Sequence, residues 1–148
     1  MPTSKREEVL AAFFARLGTI PGAGLIARMP TYRLDYTKLP ALIQIDGGEH
    51  RIDAMSGALT MMTDIGVVVI VRTATDADLG TLLTDWNAKV RAALGADPYL
   101  SGKVLSLLYS GCNEPVPLSE AEDDLPTIAQ TMTFEATRIE SETDPYSL

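Results

Sequence analysis

The stretch Leu59-Thr-Met-Met-Thr-Asp-Ile-Gly-Val-Val-Val-Ile-Val71 decides how the chain is read. Its odd positions, Leu59, Met61, Thr63, Ile65, Val67, Val69 and Val71, keep a period of two across thirteen residues. Successive side chains on a strand point to opposite faces, so this period describes a strand with one face turned to a core. The run Val67-Val68-Val69 adds β-branched residues, which suit a pleated, half-buried surface.

Downstream of this strand, Asp76 or Asp78 is placed to cap a helix whose apolar face is Leu79, Leu82, Leu83, Trp86, Val90 and Leu94. Gly95 and Asp97-Pro98 end it. An apolar strand is expected over Val104 to Cys112. A last strand runs from about Thr127 to Ile139, with Ile128, Met132, Phe134 and Ala136 on one face, mostly threonine on the other, and Gln130 interrupting the apolar side. Upstream, Pro40 introduces a strand from about Ala41 to Ile45. Asp46-Gly47-Gly48 then opens a long connection through Ser56-Gly57, which reads as a projecting loop or extended hairpin because it is polar and lacks steady periodicity. Leu25 to Met29 forms a short strand closed by Pro30.

At the N-terminus, Ser4-Lys5-Arg6-Glu7 has the S-x-x-E form of a reciprocal capping box. Val9, Leu10, Phe13, Phe14 and Leu17 then give one helical stripe, and Gly18 with Pro21-Gly22 ends it. Val9 to Ala15 superficially resembles a signal-peptide core, but Glu7 and Glu8 precede it where a secretory signal wants positive charge, so it is read as the first helix of the fold. The order is α-β-β-β-α-β-β. Two one-sided helices must share a layer, so the fold class is α+β: a mainly antiparallel sheet with both helices packed on one face. Residues 1–140 read as one domain and 141–148 as a polar, loosely held tail.

Composition narrows the function. The 148 residues suit one compact domain that buries a core without disulfides or metals. Twenty acidic against twelve basic residues, a formal charge of −8, argue against a nucleic-acid binder, which needs clustered Lys and Arg. One cysteine, Cys112, excludes an internal disulfide framework, and one histidine, His50, excludes sites needing two imidazoles. The longest mid-chain apolar run, Val67 to Val71, is far short of a membrane span. A soluble protein made in the cytoplasm is expected.

No catalytic constellation emerges. Asp46, Glu49, His50 and Asp53 gather a histidine and three carboxylates, yet Arg51 competes for them and a solvated hairpin loop is the simpler reading. Cys112 ends an apolar strand and reads as a buried small hydrophobe rather than a nucleophile. Gly18, Gly22 and Gly24 precede a strand, not a helix, so they do not make a dinucleotide cradle, and Gly102-Lys103 lacks the rest of a P-loop. Glu120, Glu122, Asp123 and Asp124 lack the spacing and turn glycine of a calcium loop. An enzyme is not expected, and no cofactor or metal is.

The layout nevertheless resembles a family. The features are Gly18-Thr-Ile-Pro21-Gly22 after the first helix, Leu39-Pro40-Ala41-Leu42 entering a strand, and Val71-Arg-Thr-Ala-Thr-Asp76 entering the second helix. Asp97-Pro98 at its exit, Glu114-Pro115, and the closing Thr131-Met-Thr-Phe-Glu-Ala-Thr137 complete them. Over nearly the whole chain, to about Ile139, this resembles the tail terminator proteins of long-tailed, lambda-like bacteriophages, the minor tail protein U group, and their relatives in phage-derived particles. The resemblance implies an α/β sandwich and a structural role in a virion assembled in the host cytoplasm. That role is a hexameric ring on the head-proximal end of the tail tube, which stops tube polymerisation and meets the head-completion or neck proteins. It implies partners of three kinds, further copies of itself, the tail tube protein and a head-side protein, with DNA passing through unbound.

Two loops are the candidate surfaces for such a role. Gly47, Gly48, Glu49, His50, Arg51 and Asp53 are candidates for the subunit or tube interface. The acidic loop of Glu120, Glu122, Asp123 and Asp124 is a candidate for the lumen, where a channel carrying DNA should repel phosphate. Another neck or tail-completion protein is the nearest alternative. A small-molecule-binding α/β module is the alternative from another class, and it requires a pocket with convergent polar groups.

Overall fold

The computed structural model describes residues 3–29, 36–73, 78–118 and 126–147. Helix α1 spans Lys5–Leu17 and is followed by strand β1, Leu25–Arg28; a single 3-10 turn, Tyr36–Lys38, leads to β2, Ala41–Met55. Then come β3, Ala58–Arg72, helix α2, Leu79–Gly95, β4, Ser106–Cys112, a two-residue β5, Val116–Pro117, and β6, Thr127–Ser141. The order matches the expectation, with β5 as a small addition.

The six strands form one mixed, mostly antiparallel sheet in the order β1-β2-β3-β6-β4, with β5 also pairing β6. Only β1 runs parallel to its neighbour, with Leu25 opposite Ala41 and Arg28 opposite Gln44. β6 lies antiparallel between β3 and β4, so α2 carries the chain across one face to a strand parallel to β3 but not adjacent to it. β3 and β6 pair along their full length, from Ala58 opposite Ser141 to Arg72 opposite Thr127. The period-two patterns of both strands are therefore read against one another.

Both helices lie on the face formed by Ile65, Val67, Val69 and Val71 of β3 and Met132, Phe134 and Ala136 of β6. α1 contributes Val9, Leu10, Phe13 and Leu17, and α2 contributes Leu83, Trp86, Val90 and Leu94. Phe134 sits at the centre, edge-on to Phe13 with ring centroids 5.4 Å apart and tilted against Tyr109 at 5.3 Å. Such aromatic pairs add about 0.5–1.5 kcal/mol beyond the area they bury. Arg16 ties the helices together, its Nε and Nη2 donating to the carbonyl of Ala93 in the last turn of α2 at 3.1 and 2.8 Å. A cation there satisfies an otherwise orphaned carbonyl and complements the helix dipole. On the opposite face a smaller apolar group of Ala41, Ile43 and Ile70 packs with Leu39 and Leu118.

Five expectations need correction. The strand expected to stop near Ile45 continues to Met55, and the polar Asp46–Asp53 segment is its outer half. Between Asp46 and Glu49, and again between Arg51 and Asp53, β2 carries one more residue than β3 opposite it. Each bulge flips the alternation of faces, which is why no steady period survives in the sequence. The hairpin closes through Ser56 and Gly57, both at positive φ (50° and 83°), the conformation of a two-residue turn that follows strand twist. The β4 strand begins at Ser106 rather than Val104.

The capping box is half formed: Ser4 Oγ accepts from the Glu7 N–H at 3.2 Å, but the Glu7 carboxylate turns away to Arg28. Asp78 occupies the N-cap position of α2 without a side-chain cap bond, and Asp76 lies outside the described residues. Cys112, expected buried, is exposed at the end of the edge strand β4. Beyond β6 the chain turns back, with Glu142 N–H donating to Gly57 and Lys5 N–H donating to Pro145.

The bulge at Gly47-Gly48 separates two roles for glycine. A Cβ on Gly47 would lie 2.4 Å from the carbonyl oxygen of Asp64, whereas one on Gly48 meets nothing within 4 Å. Gly47→Ala is expected to lose about 1–3 kcal/mol by forcing the hairpin apart, and Gly48→Ala to stay within about 0.5 kcal/mol of the parent. Urea denaturation of the two variants measures this; equal losses would contradict the close approach.

Candidate assembly surface

The outer half of the β2–β3 hairpin, with β6 alongside, makes a three-stranded arm that continues the sheet beyond the apolar core. β1 pairs β2 only as far as Gln44, so among the described residues the outer edge of β2 from Glu49 to Met55 is unpaired. Arg51 through Gly57 are exposed, including Ile52 at 50% and Met55 at 71%, the most exposed large apolar residue among those described.

The residues proposed from sequence for an interface divide into two groups here. Gly47 and Glu49 are engaged within the chain: the Gly47 carbonyl accepts from Arg6 Nη2 at 2.8 Å, and Glu49 Oε2 accepts from Arg138 Nη2 at 2.6 Å. Gly48, His50, Arg51 and Asp53 are exposed along the arm, Asp53 Oδ1 accepting from the N–H of Ala54 at 2.8 Å. Glu120, Glu122, Asp123 and Asp124 lie outside the described residues.

Two charged networks anchor the arm, and neither was foreseen in the sequence. The first centres on Arg138, whose side chain is only 3% exposed on the helix-facing side of β6. Its three nitrogens donate to Glu140 Oε2 (3.2 Å), Thr63 Oγ1 (2.5 Å) and Glu49 Oε2 (2.6 Å). Arg6 of α1 approaches the same Glu49 oxygen at 3.3 Å. Strand parity held the clue, since 138 and 140 share the face of Met132, Phe134 and Ala136, where only a charge with partners can be buried.

In the second network Arg28 of β1 reaches Glu7 through two bonds of 2.6 and 2.7 Å and Asp46 at 2.8 Å. Gln44, fully buried, donates to both the Leu10 carbonyl and Asp46. The hydrogen bonds to Arg28 hold the Glu7 carboxyl below the usual glutamate range, and the two carboxylates push Arg28 further up from an already high value.

At the other edge of the sheet, α2 and β4 leave an open groove of about 450 Å³ lined by Ala88, Ala92, Leu94, Leu107, Tyr109 and Phe134, with Arg91 beside them. The Arg91 guanidinium lies over the Tyr109 ring, 4.5 Å from its centroid. Burial pushes the Tyr109 hydroxyl up from its ordinary pKa, with a hydrogen bond to Cys112 adding to it. Among the described residues no group of three or more His, Cys, Asp or Glu side chains is placed to hold a metal ion, and no helix is long and apolar enough to cross a membrane.

No protein-family model and no curated protein matches the chain. Among solved structures, a chain described as "Virion of native gene transfer agent (GTA) particle" matches at 15% identity with a TM-score of 0.33, covering 90% of this chain and 90% of that one. A likeness of that size does not establish a shared fold.

Arg138→Ala should cost about 3–5 kcal/mol, because it leaves the buried Glu140 carboxylate and Thr63 hydroxyl without their donor; urea denaturation would show it, and a loss near zero would mean that the network carries no weight. The Glu7–Arg28 pair sets a pH dependence of defined sign. A carboxylate whose folded pKa is depressed stabilises the fold above its unfolded pKa and loses that contribution as pH falls through the folded one. Thermal unfolding followed from about pH 6 to about pH 3 should therefore show a fall in midpoint that Glu7→Gln makes shallower. Parallel curves would remove Glu7 as a source.

Proposed function

We propose that this chain is a structural protein of a phage-type particle. It caps the head-proximal end of the tail tube as a hexameric ring, stops tube polymerisation and joins the tail to the head-completion proteins. The observation that carries the reading is the three-stranded arm, its outer edge unpaired among the described residues, with exposed Ile52 and Met55, on a fold whose sequence layout resembles tail terminators. A ring is built from heterologous contacts, one surface of each subunit meeting a different surface of the next, and an arm at one sheet edge supplies one such surface. A net charge of −8 suits a channel wall that DNA passes without binding.

The groove beside α2 favours this reading over a small-molecule module. Its lining is mostly apolar, with Arg91 and Tyr109 as its polar groups, and among the described residues the carboxylate with a shifted pKa, Glu7, belongs to the α1–β1 network instead. A binding module needs several convergent polar groups to orient its ligand. On the proposed reading the chain performs no catalysis and takes no cofactor.

Electron microscopy of particles produced without this protein tests the role. Overlong, unattached tubes beside DNA-filled heads are the expected result. Joined tails of normal length would overturn the terminator reading. Filled heads with loose tails of normal length would move the protein to another position in the neck.

A further inference from the structure

We propose that the groove between α2 and β4 receives the arm tip of a second copy of this chain, with Ile52 and Met55 entering the groove and Asp53 meeting Arg91. This inference rests on the ring reading and names the two surfaces that make its repeated contact. The first observation is position: the arm's free edge belongs to β2 and the groove lies beside β4, with β3 and β6 between them in the sheet. At about 4.8 Å per strand these edges are roughly 15 Å apart across a rigid sheet, and they face away from each other. A protrusion on one edge and a recess on the other is the requirement for a head-to-tail contact that closes into a ring or runs on as a filament.

The second observation is chemistry. Ile52 and Met55 are 50% and 71% exposed and would withdraw that apolar surface from water in a recess such as the groove, which supplies Ala88, Ala92, Leu107 and Phe134. A volume of about 450 Å³ accommodates side chains of that size. Charge agrees: the guanidinium of Arg91, at the groove, has the Tyr109 ring beneath it and no ion pair to a carboxylate among the described residues, while exposed Asp53 lies between the two apolar residues of the tip. Strand addition at the edges fits less well, because both β2 and β4 are bulged where they are free, and bulged edges pair poorly.

The test uses the full chain with Cys112→Ser, so that the only thiols are those introduced. One version carries Met55→Cys and another Ala92→Cys, both exposed positions. They are mixed, treated with a short bismaleimide, and examined both in concentrated solution and in particles assembled from the mixture. The expected result is a covalent dimer of twice the chain mass in the mixture and in neither version alone. Adding Arg91→Glu or Asp53→Arg should lower its yield about two- to fivefold, and the two together should restore it.

A particle that contains the chain but yields no such dimer, or in which the Met55→Cys version links to itself or to a different protein, overturns the groove contact while the ring reading stands. A chain that neither self-associates nor enters particles overturns both.

Discussion

One guanidinium, that of Arg138, sets the terms for the outer half of the sheet. It lies on the helix-facing side, where each unsatisfied donor would cost more than the fold gains from a single contact. Its partners come from β2 (Glu49), β3 (Thr63) and β6 (Glu140), and α1 joins through Arg6. A one-residue slip of β3 against β6 would carry Thr63 to the other face and strand the charge. The network therefore holds three strands in register at the place where the apolar core ends, and it orients the first turn of α1 above them.

What could be read from sequence follows the range of the interactions. β3 and both helices were legible because their burial is periodic and local: Thr63 to Val69 alternate buried and half-buried without interruption, and Leu83, Trp86, Val90 and Leu94 return every helical turn. The outer half of β2 was obscured by its two bulges, although the glycine of the first bulge and the Ser-Gly turn were visible as punctuation. Arg138 and Glu140 continue the parity of Phe134 and Ala136, yet their charge reads as the end of the buried face. Two of Arg138's three acceptors, Thr63 and Glu49, lie 75 and 89 residues away, and no local pattern announces partners at that distance. The arm residues stand together in the sequence as one segment, but their division into Glu49, turned to the core network, and His50, Arg51 and Asp53, left outside, needed the register.

The two edges of the sheet are unlike, and the asymmetry bears on assembly. On the β2 side the strand outlasts its neighbour β1 and projects polar and apolar side chains together. On the β4 side the short strand stops at exposed Cys112, and α2 stands back far enough to leave a groove. The face away from the helices carries Thr131, Thr133 and Thr137 of β6, with Glu135 opposite Asp64. Carboxylates paired directly across strands repel, so this face is better suited to water or to a cationic partner than to another acidic surface.

The continuity of β3 and β6 has a mechanical consequence. Both strands pass from the apolar core into the arm without a break in their mutual pairing, from Arg72–Thr127 to Ala58–Ser141. The arm is thus a lever, not a tether, because no pliable joint lies along that ladder at which a load could be absorbed. A force applied at Met55 is carried along two stiff ribbons to Arg138 and Glu49, and from there to Arg6 in the opening turn of α1. Whatever grips the tip of this protein also pulls on its first helix.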